Sequence, residues 1–75
     1  MTKTMMKVKV EQVPGFSKEY QVTMGGECVG RYPITKAKIS ALAVSRALLI
    51  LNHDVTCTFP NEKGETVTLI NGVAQ

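Results

Sequence analysis

Apolar and polar residues alternate toward both ends of the chain, and a dense apolar stretch lies between. In MKVKVEQV, Met6, Val8 and Val10 alternate with Lys7, Lys9 and Glu11. A period of two puts one set on a buried face and the other in solvent, which predicts a half-exposed strand. Pro14 and Gly15 close it with turn chemistry. KEYQVTMGGECVGRYPI then reads as a hairpin, because Gly25 and Gly26 can both take the positive φ of a two-residue type I′ turn. That loop sets Met24 opposite Glu27, Val22 opposite Val29 and Tyr20 opposite Arg31. Tyr20, Val22, Met24 and Val29 then share the buried face. Pro33, which cannot donate to a ladder, ends the second arm.

The central stretch, TKAKISALAVSRALLILNHD, predicts a helix capped at its start by the Thr35 hydroxyl and running to about Asn52. His53 falls near the negative end of the helix dipole, and Asp54 begins the exit. VTCTF and TVTLI alternate again, with Val55, Cys57, Phe59, Val67 and Leu69 expected to face inward. Pro60, Asn61 and Gly64 supply the turn between them, and NGVAQ reads as a frayed or turning tail. The order is β-β-β-α-β-β in one domain over residues 1–75. The expected class is α+β, a two-layer arrangement of an antiparallel sheet on a single helix. The second hairpin either extends the first sheet or pairs with another chain.

Within residues 39–51 only Arg46 is charged, and the others are apolar or serine. At about 100° per residue, Lys38, Ser45 and Asn52 form one narrow polar line. Ala37, Ala41, Val44, Leu48 and Leu51 lie on one side of it, and Ile39, Leu42, Leu49 and Ile50 on the other. A surface helix ordinarily carries one apolar stripe. Two stripes leave two outcomes: a curled sheet buries both, or one of them meets another molecule. In the second case Leu42 and Leu49 are the expected anchors, with Lys36, Lys38 and Arg46 on the rim steering toward acidic surfaces. A two-fold homodimer is the simplest such partner.

Length sharpens this. A chain of 75 residues has a core with a net contribution of only about 3–5 kcal/mol, so uncovered leucines are a heavy liability. Two cysteines, Cys28 and Cys57, make no disulfide framework, and MTKTMMKVKV carries lysines without the apolar core of a secretory leader. No apolar run approaches a bilayer span. A cytoplasmic protein with reduced thiols and no membrane partner is expected. The net charge of +3 and pI near 9.1 allow an acidic or nucleic-acid partner without the dense basic patch typical of one.

Catalytic chemistry finds little to work with. The single histidine, His53, adjoins Asp54, but neighbours in sequence do not face each other at a helix end. Cys57 alternates inward, Ser40 and Ser45 have no base near them in sequence, and Glu11, Glu19 and Glu27 read as solvated strand positions. Two cysteines and a histidine do not make a zinc site. The glycines of MGGECVG open a strand rather than a helix, so they do not form a phosphate loop. No enzymatic activity, metal or cofactor is expected. A second binding reading uses the three-stranded sheet as a DNA-contacting face: Lys7, Lys9, Gln21, Thr23 and Tyr32 outward, with Lys18 on phosphates and Arg31 a further candidate contact.

YQVTMGGECVGRYPITKAKISALAVSRALLIL, residues 20–51, resembles the hairpin-then-helix unit of small phage and mobile-element accessory proteins, among them small anti-CRISPR proteins of type I systems. The likeness rests on length, element order and a Thr-capped helix, so no functional residue carries over. It implies a non-enzymatic inhibitor that docks on a host defence complex in the host cytoplasm. Members that imitate DNA are acidic; this chain is basic, which turns the expectation toward docking on a protein subunit. The three-strand-plus-helix DNA-binding domains of tyrosine recombinases are similar in element order, and they imply the DNA-binding alternative.

Overall fold

The computed structural model describes residues 5–75. Strands β1 (Met5–Gln12), β2 (Tyr20–Met24) and β3 (Glu27–Tyr32) precede the helix α1 (Ile34–Ile50). β4 (Asp54–Pro60), β5 (Thr66–Ile70) and β6 (Val73–Ala74) follow it. All six strands form one sheet in the order β3-β2-β1-β4-β5-β6, and α1 lies across one face of it. The domain is α+β, and the second hairpin extends the first sheet.

The sheet is mixed, which corrects the antiparallel expectation at one seam. β1 and β4 pair in parallel, Met6 beside Val55 and Val8 beside Cys57, whereas every other pairing is antiparallel. The cause is the connection. Two hairpins leave β3 running the same way as β1, and a helical crossover returns the chain to the end where it started. β4 therefore runs with β1, and lying beside it must pair in parallel.

β1 alternates as its sequence indicates: Val8 and Val10 are buried and Lys7, Lys9 and Glu11 exposed. Gly25 and Gly26, with φ of 61° and 90°, make the turn between β2 and β3. Beyond Thr23 and Cys28 the register departs from expectation. Val22 faces Gly30, Gln21 faces Arg31 and Tyr20 faces Tyr32, so Val29 is the extra residue of a β-bulge. An unbulged β3 would point Arg31 into the core and Tyr32 into water. One inserted residue reverses both, since a slip of one exchanges faces. Val29 is 44% exposed as a result, and Tyr32 packs against the core instead of lying on the outer face. Its ring folds back over Gly30, where an added Cβ would sit 2.6 Å from Tyr32 Cζ.

Helix α1 begins one residue after Pro33, whose carbonyl accepts from the Ala37 amide at 2.9 Å. Thr35 lies inside the first turn and caps nothing; the N-cap is Pro33, without a side-chain hydrogen bond. The fixed φ of proline, here −59°, with an extended ψ of 156°, places the helix start immediately after it. The helix ends two residues before the expected Asn52. Asn52 adopts φ 68° and donates its amide to Leu49 O, and the His53 amide reaches Leu48 O, both at 3.0 Å. This pair of bonds is the Schellman arrangement.

The core is Val8, Val10 and Val22 with Val55 and Cys57 from the sheet, and Ala37, Ala41 and Leu48 from the helix. Ser45, expected on a solvated polar line, is 7% exposed and belongs to the sheet-facing stripe. Its hydroxyl donates to Ala41 O at 2.8 Å, so burial leaves it satisfied. Lys38 turns the same way, with its Nζ 5.4 Å from the Phe59 ring centroid. The sheet offers bulky inward side chains, and the helix meets them with its smallest residues because these let its backbone approach closely.

The tail, expected to fray or turn, instead adds a sixth strand to the expected β-β-β-α-β-β order. Asn71 (φ 51°) and Gly72 (φ 83°) form a two-residue turn that sets Val73 beside Ile70 and starts β6. Asn71 also continues the ladder past β5. Its backbone amide donates to Val55 O and its Oδ1 accepts from the Val55 amide, both at 2.8 Å. Among the described residues, no helix is long and apolar enough to cross a membrane.

Candidate functional site

With the small-residue stripe on the sheet, the second apolar stripe of α1 faces away from it. Ile39 is 62% exposed, Leu42 42% and Ile50 77%, and Leu51 just past the helix is 68% exposed. The sheet does not curl far enough to bury both stripes. α1 approaches the backbones of β1, β2, β3 and β4 and leaves β5 and β6 aside. Between the helix and those last strands runs an open groove of about 720 Å³. Leu42, Leu49 and Ile50 line one wall, with Leu69 and Gly72 opposite. Among the described residues, Arg46 is its one charged lining residue.

Of the side chains expected at a protein-binding face, Leu42, Arg46 and Leu49 come together here. Leu42 and Arg46 are exposed, and Leu49 is half-buried with its tip toward the β5–β6 turn. Lys36 is exposed near the helix start, whereas Lys38 points to β4 and lies off this surface. Leu69 and Gly72 are contributions from the sheet that the helical wheel does not reveal. The NG dipeptide could have located them, because Asn-Gly between apolar residues is a strong hairpin signal.

The opposite face of the sheet gathers the other set. Register places Arg31, Gln21 and Glu11 in one row, and Cys28, Thr23, Lys9 and Thr58 in the next. Lys7 stands beside Thr56. Lys7, Lys9, Gln21 and Arg31 therefore share a surface, with Glu11 among them and Lys18 in the loop beyond its end. Tyr20, Tyr32 and Phe59 pack toward the helix, so none of them offers this face a ring on which a base could stack.

Titratable chemistry is sparse and dispersed. No three His, Cys, Asp or Glu side chains cluster among the described residues. Cys57 is buried beneath α1, and desolvation pushes its thiol up from the ordinary 9.0 while the Ser45 hydroxyl pulls the other way. A thiol held protonated in this way is a poor nucleophile. Cys28 is exposed on the outer face. No protein-family profile, characterised protein or solved structure matches the chain.

Proposed function

We propose that this protein is a non-enzymatic binding module that docks on another protein through the outer surface of α1. The observation that carries the reading is the exposure of Ile39, Leu42 and Ile50 around a single Arg46 on a helix whose other face already fills the core. Fully burying one such side chain contributes about 1.5–3 kcal/mol, so covering these partly exposed anchors supplies a few kcal/mol toward offsetting the entropy of association, and charge and further contacts must supply the rest. A helix exposing this much apolar surface in so small a chain is costly unless something covers it. The resemblance of residues 20–51 to small phage accessory proteins, type I anti-CRISPR proteins among them, rests on length and element order without the expected Thr35 cap. It suggests the kind of target: a subunit of a host defence complex, blocked by occupation of its surface. The net charge of +3 favours an acidic patch on that subunit.

The test is capture by tagged protein from a bacterial lysate containing a type I CRISPR surveillance complex. Wild type should retain the complex, and Ile39→Asp and Ile50→Asp should lose it while keeping the wild-type melting temperature. Equal retention by all three would remove α1 from the interface.

The shared face of Lys7, Lys9, Gln21 and Arg31 supports a second reading, contact with duplex DNA through the outer sheet surface. Three cations flanked by threonines suit phosphates, and Glu11 among them weakens the field. If this reading holds, binding to random duplex appears near about 50 mM salt and falls steeply as salt is added. No binding at that salt would dismiss it.

A further inference from the structure

We propose that the groove between α1 and β5 seats one amphipathic helix of the partner, apolar along the buried face and carrying a carboxylate opposite Arg46. This rests on the reading that the chain docks through α1, and it specifies what lies there.

The width of the sheet is the first ground. Six strands spaced about 4.8 Å apart present a face roughly 24 Å wide, and one helix with its side chains covers about 10 Å of it. α1 stands over β1 to β4, so the uncovered remainder is all on one side, above β5 and β6. Leu69 lies there half-buried, facing the helix side beside Cys57. β6 is only two residues long, so the space left is about one helix wide at the β5–β6 turn and narrower along the rest of β5, and a second helix beside α1 would complete the layer. The apolar wall from Ile39 to Ile50 is about 16 Å long, or three turns. An added strand is a poor occupant, because strand addition needs unpaired backbone at a sheet edge and this groove offers side chains.

Charge is the second ground. α1 contains Lys36, Lys38 and Arg46 and no Asp or Glu, and among the described residues Arg46 is the only charge lining the groove. A guanidinium covered by an apolar partner must be matched, and a carboxylate matches its planar fork best.

The same residue argues against a second copy. At about 100° per residue, Ile39, Arg46 and Ile50 fall within roughly 40° of one another, so Arg46 is central to the stripe. A two-fold pairing of α1 with its own copy brings two guanidiniums together with no acid on either helix. The occupant is therefore a helix from a different protein.

The experiment uses synthetic helical peptides of about four turns, Leu and Ala on one face, with Glu or Lys at the centre of that face. Each is titrated into isotope-labelled protein, and amide shifts are followed by NMR. The Glu peptide should shift Leu42, Leu49, Leu69 and Gly72 and bind at least about tenfold tighter than the Lys peptide, a difference of about 1.4 kcal/mol. Arg46→Glu should reverse the order, and Ile50→Asp, at an exposed position, should bind neither. Equal affinity for the two peptides, shifts confined to the outer sheet face, or no binding at all would overturn the proposal. So would a concentration-dependent dimer by light scattering whose shifts map to the groove. Should the peptides fail while Ile50→Asp still abolishes capture of the complex, the helix proposal falls and docking through α1 stands. Failure of both removes the two together.

Discussion

Asn71 shows how much a single side chain can hold. It satisfies both backbone groups of Val55 on the β5 side, donating its own amide and accepting through Oδ1, and its Nδ2 donates to Asp54 Oδ1 at 3.2 Å. Asn71→Ala leaves a buried N–H without an acceptor and puts a Cβ-bearing residue with no local hydrogen bond in the left-handed region. A loss of about 2–3 kcal/mol is expected in urea unfolding, whereas Asn71→Gly, which loses the acceptor but adopts the positive φ without strain, should lose less. The two thiols make a second residue-scale pair. Cys28 is exposed and Cys57 is 1% exposed, so iodoacetamide on the native protein should label Cys28 and spare Cys57 until unfolding, as read by mass spectrometry. Burial raises the Cys57 thiol above 9.0, so the folded chain keeps a proton that the unfolded chain releases. That contribution to stability is present below 9.0 and declines as pH climbs toward the raised value. Wild type should therefore lose more stability than Cys57→Ala between about pH 8 and about pH 10.

At the level of elements, the helix is the informative case. A capping role for Thr35 would make Thr35→Ala cost about 1 kcal/mol. With Thr35 inside the first turn and Pro33 at the cap, the change in unfolding free energy should stay within about 0.5 kcal/mol. The sheet-facing stripe behaves in the opposite way. Ala41 is fully buried between the helix backbone and the valines of the sheet, so Ala41→Leu should destabilise by about 1–3 kcal/mol through overpacking. The helix was legible from its apolar density and its end near Asn52, but its start at Pro33 instead of a Thr35 cap was not, and neither was its rotation. On the wheel, Ser45 belongs to the polar line, and only its burial against the sheet, with the Cys57 thiol in hydrogen-bonding reach of its hydroxyl, shows why a small residue is wanted there. The β3 register was equally out of reach. Gly25-Gly26 set the turn correctly, and the bulge at Val29 followed from where Arg31 and Tyr32 had to point.

For the whole molecule, one helix on six strands leaves part of the sheet and one side of the helix without cover. The isolated chain should therefore be insensitive to what occupies that side. Ile39→Ser and Ile50→Ser should each change unfolding free energy by no more than about 0.5 kcal/mol, while Val8→Ala, at 0% exposure, should cost about 2 kcal/mol or more. Large losses from the two serine variants would mean that those isoleucines are packed within the chain. By itself the sequence determined what is local: the alternation that half-buries β1 and β4, the glycines between β2 and β3, the order of the first five strands and the helix, and a helix with more apolar surface than one contact can bury. Those features depend on period and on the φ range of single residues, both written in the chain. Only the tertiary structure decided that β1 and β4 pair in parallel, that α1 rests on its small residues, and that the groove opens beside β5. Each of these depends on which side chains compete for the same space, and that competition exists only once distant segments are brought together.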